Sequence, residues 1–219
     1  LLKQRRLKAN QKNLEMEQQL LSAQMNPHFI FNALNSVQAF ILEKSAHEAS
    51  DYLAKFSKLV RLVLNNTREK VLTLEREIEF LRSYIELEQI RFGNKFTVEF
   101  VVDESIDTYQ VLIPPMLIQP YIENAIWHGL MPLKSERQGK LRVSFTEEER
   151  QLTIVIEDNG IGIETSQQIK KSPGHVSTGM TLAETRTKMT GAASVKIYNL
   201  QNEDGTPAGT KVEIILTLK

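Results

Sequence analysis

The chain has 219 residues, 41% of them hydrophobic, enough to bury one or two ordinary cores. Lysine plus arginine and aspartate plus glutamate both number 27, so no global field recruits nucleic acid or an anionic membrane, and any phosphate site must be local and geometric. The absence of cysteine excludes disulfides, thiolate nucleophiles and cysteine-based zinc sites, and favours a reducing compartment such as the cytoplasm.

The chain opens "LLKQRRLK" without methionine and holds no run of about 18 apolar residues, which suggests a fragment of something longer with no span of its own. Residues 1–24 are helix formers, with Leu7, Leu14 and Leu21 at heptad spacing, and predict a weak signalling coiled coil. Residues 25–70 predict a helical hairpin. Ile30, Leu34, Val37 and Ile41 form one stripe, Ala49, Leu53, Phe56, Val60 and Val63 a second, and "EKSAHE" is the turn between. One apolar stripe per helix leaves surface uncovered, so pairing with a second copy into a four-helix bundle is expected, making the protein a homodimer.

At about 100° per residue, the stripe of the first hairpin helix lies roughly 180 to 240° from His28, while Gln24, Asn32 and Asn35 lie within about 40° of it. His28 is thus on the polar face. The upstream leucines, with Met25, fall at roughly 20 to 60°, nearly opposite the later stripe, so one straight helix cannot bury both seams. The phase changes at Asn26-Pro27, where the proline removes a donor and crowds the Ala23 carbonyl, predicting a kink or a restart capped by Asn26. A histidine there reads most plainly as a solvated side chain. It becomes a nucleophile for a phosphoryl group if a separate module presents ATP.

Residues 71–95 predict a connecting helix, "TLEREIEFLRSYIELEQIRF", capped by Thr73 and with Leu74, Ile78, Leu81 and Ile85 on one face. Over 96–219, strand-like runs "KFTVEFVV", "KLRVSFTEE", "QLTIVIED", "ASVKIYNL" and "TKVEIILTL" alternate with helix-like "PPMLIQPYIENAIWHGL" and "MTLAETRTKM". Strands follow one another without a helix between each pair, which predicts an antiparallel-rich α/β sandwich and, with the hairpin, an α+β fold overall.

Three pieces of this region carry chemistry. "YIENAIWHG" brings Glu123, Asn124 and His128 to one helix end, suited to Mg²⁺ and phosphate oxygens, or simply a capped helix. "VIEDNGIGI" ends an apolar strand in Asp158 and runs into Gly160 and Gly162; an acid there can accept from the amine of adenine, although D-N-G alone more often marks a hairpin. "SPGHVSTGMTL" is a flexible segment before a predicted helix start, able to close as a lid over phosphates, and by itself only a loop.

In this order, after a helical hairpin, these pieces resemble the sensor histidine kinases of the LytS/YehU-like family, whose ATP-binding domain is of the gyrase, Hsp90, histidine kinase and MutL type. "NPHFIFNALN" resembles the phosphoacceptor motif, "QPYIENAIWHG" the N box, "EDNGIGI" the G1 box and "GTKVEI" the closing strand motif. The resemblance covers nearly the whole chain. It implies His28 as the phosphorylated residue, Asn124 as the Mg²⁺ ligand, and Asp158, Gly160 and Gly162 as the adenine pocket. His128 joins the nucleotide site, and Gly179 matches the lid. It further implies ATP and Mg²⁺ as cofactors and a response regulator, of the LytTR type, as partner. The chain would be the cytoplasmic portion of an inner-membrane sensor whose sensing region precedes Leu1. Glu123 is the candidate base, and Asn32, one turn from His28, is either a plain polar residue or the group that orients water for the reverse, phosphatase, reaction.

Some positions depart from the pattern. Trp127 stands where the family often has lysine, with Lys134 or Arg137 as substitute cations, though packing is the plainer reading of the tryptophan. Thr181 and Glu184 replace a glycine and an asparagine expected at the lid. Phe29, not an acid, follows His28. Two rival functions remain at this level: a plain ATPase of the same superfamily, and a catalytically silent dimeric scaffold.

Overall fold

The computed structural model describes residues 45–66, 69–134, 137–163 and 193–218. The chain divides into two compact units, Leu1–Glu69 and Lys70–Lys219. The predicted coil, the first hairpin helix and the lid segment lie outside the described residues, and His28, Asn32, Gly179, Thr181 and Glu184 with them.

In the first unit, helix α1 spans Ala46–Asn66. The "SAHE" that reads as a turn is its capping box: Glu48 N–H donates to Ser45 Oγ at 3.2 Å, and Ser45 N–H to Glu48 Oε2 at 3.0 Å. Its buried face is Ala49, Tyr52, Phe56, Leu59 and Val63. This corrects the expected stripe, since Leu53 is 46% exposed and Val60 half-buried. Two series with the same 3- and 4-residue steps share Ala49, Phe56 and Val63, and the one carrying Tyr52 and Leu59 buries the larger apolar surface.

The second unit opens with strand β1, Leu72–Thr73, and helix α2, Leu74–Arg91. Thr73 caps α2 as expected, its Oγ1 accepting from Arg76 N–H at 3.4 Å, and Leu74, Ile78, Leu81 and Ile85 are all buried. Phe92 N–H returns to the Glu88 carbonyl, after which Gly93 and Asn94, both with positive φ, reverse the chain into β2, Phe96–Val102. Strand β3, Leu112–Ile113, pairs antiparallel with β1. Helix α3, Gln119–Asn124, continues as a π-helical turn, Ala125–Leu130, so the expected single helix over 114–130 starts later and widens midway. Strands β4, Gly139–Glu148, β5, Gln151–Asp158, β6, Ala193–Gln201, and β7, Pro207–Thr217, complete one sheet in the order β2-β4-β5-β7-β6. Only the β2–β4 pairing is parallel.

Alternation decides the core. Leu141, Val143 and Phe145 of β4, Leu152, Ile154 and Ile156 of β5, and Val212, Ile214 and Leu216 of β7 turn to one buried face. The π-helical turn packs against β4, β5 and β7, and α2 against β2 and β1. The predicted connecting helix therefore belongs to the compact second unit.

Glu77 of α2 is fully buried and accepts from Met116 N–H through Oε2 at 3.2 Å, and also from Ile118 N–H. Met116 sits at φ 57°, a left-handed conformation in a non-glycine residue, just before α3. The start of α3 has no side-chain cap of its own, and Glu77, from another helix, holds the two N–H groups that lead into it. Burial pushes its carboxyl up from 4.5 to about 7, against the pull of those two N–H groups. The folded state then holds the proton longer than the unfolded chain, so this group lowers stability as pH rises from about 4.5 to about 7. Glu77→Gln keeps an acceptor for Met116 and cannot ionise. Unfolding free energies from urea titration should favour the variant more at pH 8 than at pH 5, the gap widening by on the order of 2 kcal/mol. Equal differences at both pH values would rule this titration out.

Candidate functional site

The inward alternation of β5 runs Leu152, Ile154, Ile156 and then Asp158, so the strand that builds the core also delivers a carboxylate to it. Asp158 is 4% exposed. Its Oδ1 accepts from Gly160 N–H at 2.8 Å, and Thr210 N–H, from its register partner on β7, also donates to it. Burial raises its carboxyl from 3.8 to about 6, opposed by those two N–H groups.

Gly129 and Gly160 wall this carboxylate, and Gly209 packs against the backbone that carries it. A Cβ on Gly129, at the end of the π-helical turn, would lie 2.8 Å from Asp158 Oδ1. A Cβ on Gly160 would overlap the Gly129 backbone, and one on Gly209 of β7 would overlap the Asp158 carbonyl. Ile161 N–H donates to the Gly129 carbonyl at 3.1 Å, pinning the turn after β5 to the helix end. Asn159 fastens the other side: its Oδ1 accepts from Lys140 N–H at 2.7 Å and its amide donates to the Gln138 carbonyl at 3.1 Å. Gly162, at φ 74°, lies against Asn199 of β6, whose Oδ1 accepts from Ile163 N–H at 3.2 Å.

Of the residues singled out from sequence, Asp158 and Gly160 thus come together, with His128 next to Gly129 and Asn124 on the preceding turn, both half-buried. Glu123 accepts from Gln119 Nε2 at 2.8 Å and lies close enough to Tyr84 and Glu88 of α2 to push both their pKa values upward, burial being the larger cause for each. Trp127 is a packing residue. Its ring meets Phe92 edge-on, with centroids 5.1 Å apart, and the Arg91 guanidinium lies 4.6 Å from its centroid. The cation beside it is therefore Arg91, while Lys134 and Arg137 sit on an exposed turn joined by Arg137 N–H to the Lys134 carbonyl. Gly129, Asn199 and Thr210 were not singled out. Gly209 and Thr210 belong to the "GTKVEI" motif, and their place opposite Asp158 follows only once the β5–β7 register is known.

The histidine kinase family matches residues 16–96, and the family of histidine kinase-, DNA gyrase B- and HSP90-like ATPases matches residues 116–219. Sensor protein LytS of Staphylococcus epidermidis is 31% identical over 207 residues, covering 91% of this chain and 33% of the relative. Sensor histidine kinase YpdA of Escherichia coli is 34% identical over 148 residues, 68% of this chain and 25% of the relative. The chain thus spans at most about a third of these relatives' length. The histidine kinase domain of the Erythrobacter litoralis EL346 blue-light activated histidine kinase shares the fold, with a TM-score of 0.50 at 17% identity over 95% of this chain and 94% of that one. Two families matched in succession over most of the chain, with the buried acid and its glycines inside the second, assign this protein to the sensor histidine kinases, in the company of the LytS proteins.

Proposed function

We propose that this chain is the kinase core of a two-component sensor, in which ATP bound with Mg²⁺ by the second unit gives its γ-phosphoryl group to His28, and His28 gives it to an aspartate of a response regulator. The observation that carries this reading is Asp158: a buried carboxylate walled by glycines at the foot of the N-box helix. The chain's own groups fit an adenine nucleotide. Asp158 offers an acceptor for an exocyclic amine, and glycine walls let a flat ring approach the backbone. Asn124 would offer its amide oxygen to a hard cation such as Mg²⁺, which when bound would neutralise charge on the phosphates.

His28 attacks the γ-phosphorus through a ring-nitrogen lone pair as the bond to the ADP oxygen breaks, and the bonding electrons leave with ADP. The imidazole proton needs an acceptor, for which Glu123 is the candidate. Asn32 is assigned to orient water in the reverse reaction, and Gly179 to the lid. The homodimer, the LytTR-type regulator and a place on the cytoplasmic side of an inner membrane belong to the same proposal. No helix among the described residues is long and apolar enough to cross a membrane.

The test is incubation of the chain with Mg²⁺ and γ-labelled ATP beside His28→Ala. Acid-labile, base-stable label is expected on the parent and none on the variant. Label on both would transfer the acceptor role elsewhere. No label on either, with a dimer and bound nucleotide demonstrated, would favour a plain ATPase or a silent scaffold.

A further inference from the structure

Helix α2 carries buried polar residues along the edge of its apolar stripe. Glu77, Tyr84 and Glu88, at steps of 7 and 4, are all buried, and Arg91 ends the row. Every polar member meets the segment that carries Asn124. Glu77 holds Met116 N–H before α3, Tyr84 lies beside Glu123, and Glu88 and Arg91 reach Trp127. Arg91 Nη1 stands 3.6 Å from Glu88 Oε1, with the Glu88 side chain 1% exposed. The same guanidinium covers the Trp127 ring at 4.6 Å and the Phe92 ring at 5.2 Å, and Phe92 meets Trp127 edge-on. Trp127 is therefore gripped by a cation over its face and an aromatic ring at its edge.

An ion pair with its carboxylate buried is seldom more stabilising than apolar residues of the same volume, so its presence here points to fixed geometry. What it fixes is a widened helical turn, whose Met131 N–H reaches back to the Ile126 carbonyl at 2.9 Å, a geometry that recurs at functional sites. Trp127 follows Asn124 by three residues, within the same turn, and Mg²⁺ tolerates little departure from octahedral geometry. We propose that Glu88 and Arg91 are positioning residues for the nucleotide site, locking Trp127 and through it the turn that presents Asn124 to the metal. The inference rests on the reading of Asn124 as the Mg²⁺ ligand given above.

Trp127 is the sole tryptophan, so its emission reports on the grip directly. The experiment uses the full chain and a non-hydrolysable ATP analogue, titrated with Mg²⁺ in excess and again in EDTA. Arg91→Met keeps the apolar stem and removes the guanidinium; Arg91→Lys returns a charge without the planar fork. Arg91→Met should shift the Trp127 emission, cut the affinity gained from Mg²⁺ about tenfold, and leave the affinity in EDTA unchanged, with lysine restoring part of the gain. An equal loss with and without Mg²⁺ would mark Arg91 as merely structural and overturn the proposal. So would a full Mg²⁺ gain despite shifted emission. Failure of the parent itself to bind the analogue would instead bring down the proposed function, and this role with it.

Discussion

Asp158→Asn is expected to weaken adenine nucleotide binding by about a hundredfold or more while leaving the chain folded. The carboxylate accepts from Gly160 N–H at 2.8 Å and from Thr210 N–H, and still has to face an exocyclic amine. Asparagine has one carbonyl oxygen for three donors, and its own amide turns a fourth donor into the site. A hydrogen bond to a charged group contributes about 1.5 to 3 kcal/mol, and a donor left buried and unpaired costs a similar amount, so two decades or more follow at about 1.4 kcal/mol per decade. Burial has raised this carboxyl to about 6, so the parent should lose affinity as pH falls through that value, and the variant should show no such inflection. Stability should move the other way. The ionised acid is disfavoured in the fold above its unfolded pKa of 3.8, and asparagine removes that cost, so the variant should be at least as stable as the parent at pH 8. Isothermal titration beside urea unfolding separates the two effects. Parent-like affinity in the variant would show that Asp158 does not contact the base.

The strands were legible because their period is simple. "QLTIVIED" reads as a strand over 151–158, and the structure has β5 over Gln151–Asp158, with Asp158 in phase with Leu152, Ile154 and Ile156. The acid and its face were thus written in one octapeptide. The seam of α1 was less legible, since Tyr52 with Leu59 and Leu53 with Val60 satisfy the same helical steps, and only packing distinguishes them. Two-residue strands such as β1 and β3 have no period to read. The polar row of α2 was hidden for a different reason. A glutamate in an amphipathic helix reads as solvated, and what pairs with Glu77 is the N–H of Met116, 39 residues away, while what holds Arg91 is the ring of Trp127. The same holds for the glycines. Gly160 stands out beside Asp158, whereas Gly129 and Gly209 reach it only through the helix end and the β5–β7 register.

Gly209→Ala should cost about 3 to 5 kcal/mol of stability and abolish nucleotide binding with it. Gly209 has φ 134°, a conformation that L side chains rarely adopt, and its added Cβ would overlap the Asp158 carbonyl oxygen and stand 2.9 Å from Asn159 Cα. Both neighbours are backbone, so no side chain can swing aside. The strands must part at the point where Asp158 faces Thr210, and the N–H that Thr210 gives to the carboxylate goes with them. Gly205→Ala is the matched control. It too has positive φ, 78°, but nothing lies within 4 Å of where its methyl would stand, so it should carry the conformational cost alone, about 1 kcal/mol. Urea midpoints of the two variants isolate the contact from the dihedral, and equal losses would mean that the close approach of β7 to Asp158 constrains nothing. Against Asp158→Asn the contrast is sharper. One variant should lose the ligand and keep the fold, and the other should lose both, because at this turn the backbone that closes the sheet is also the wall of the site.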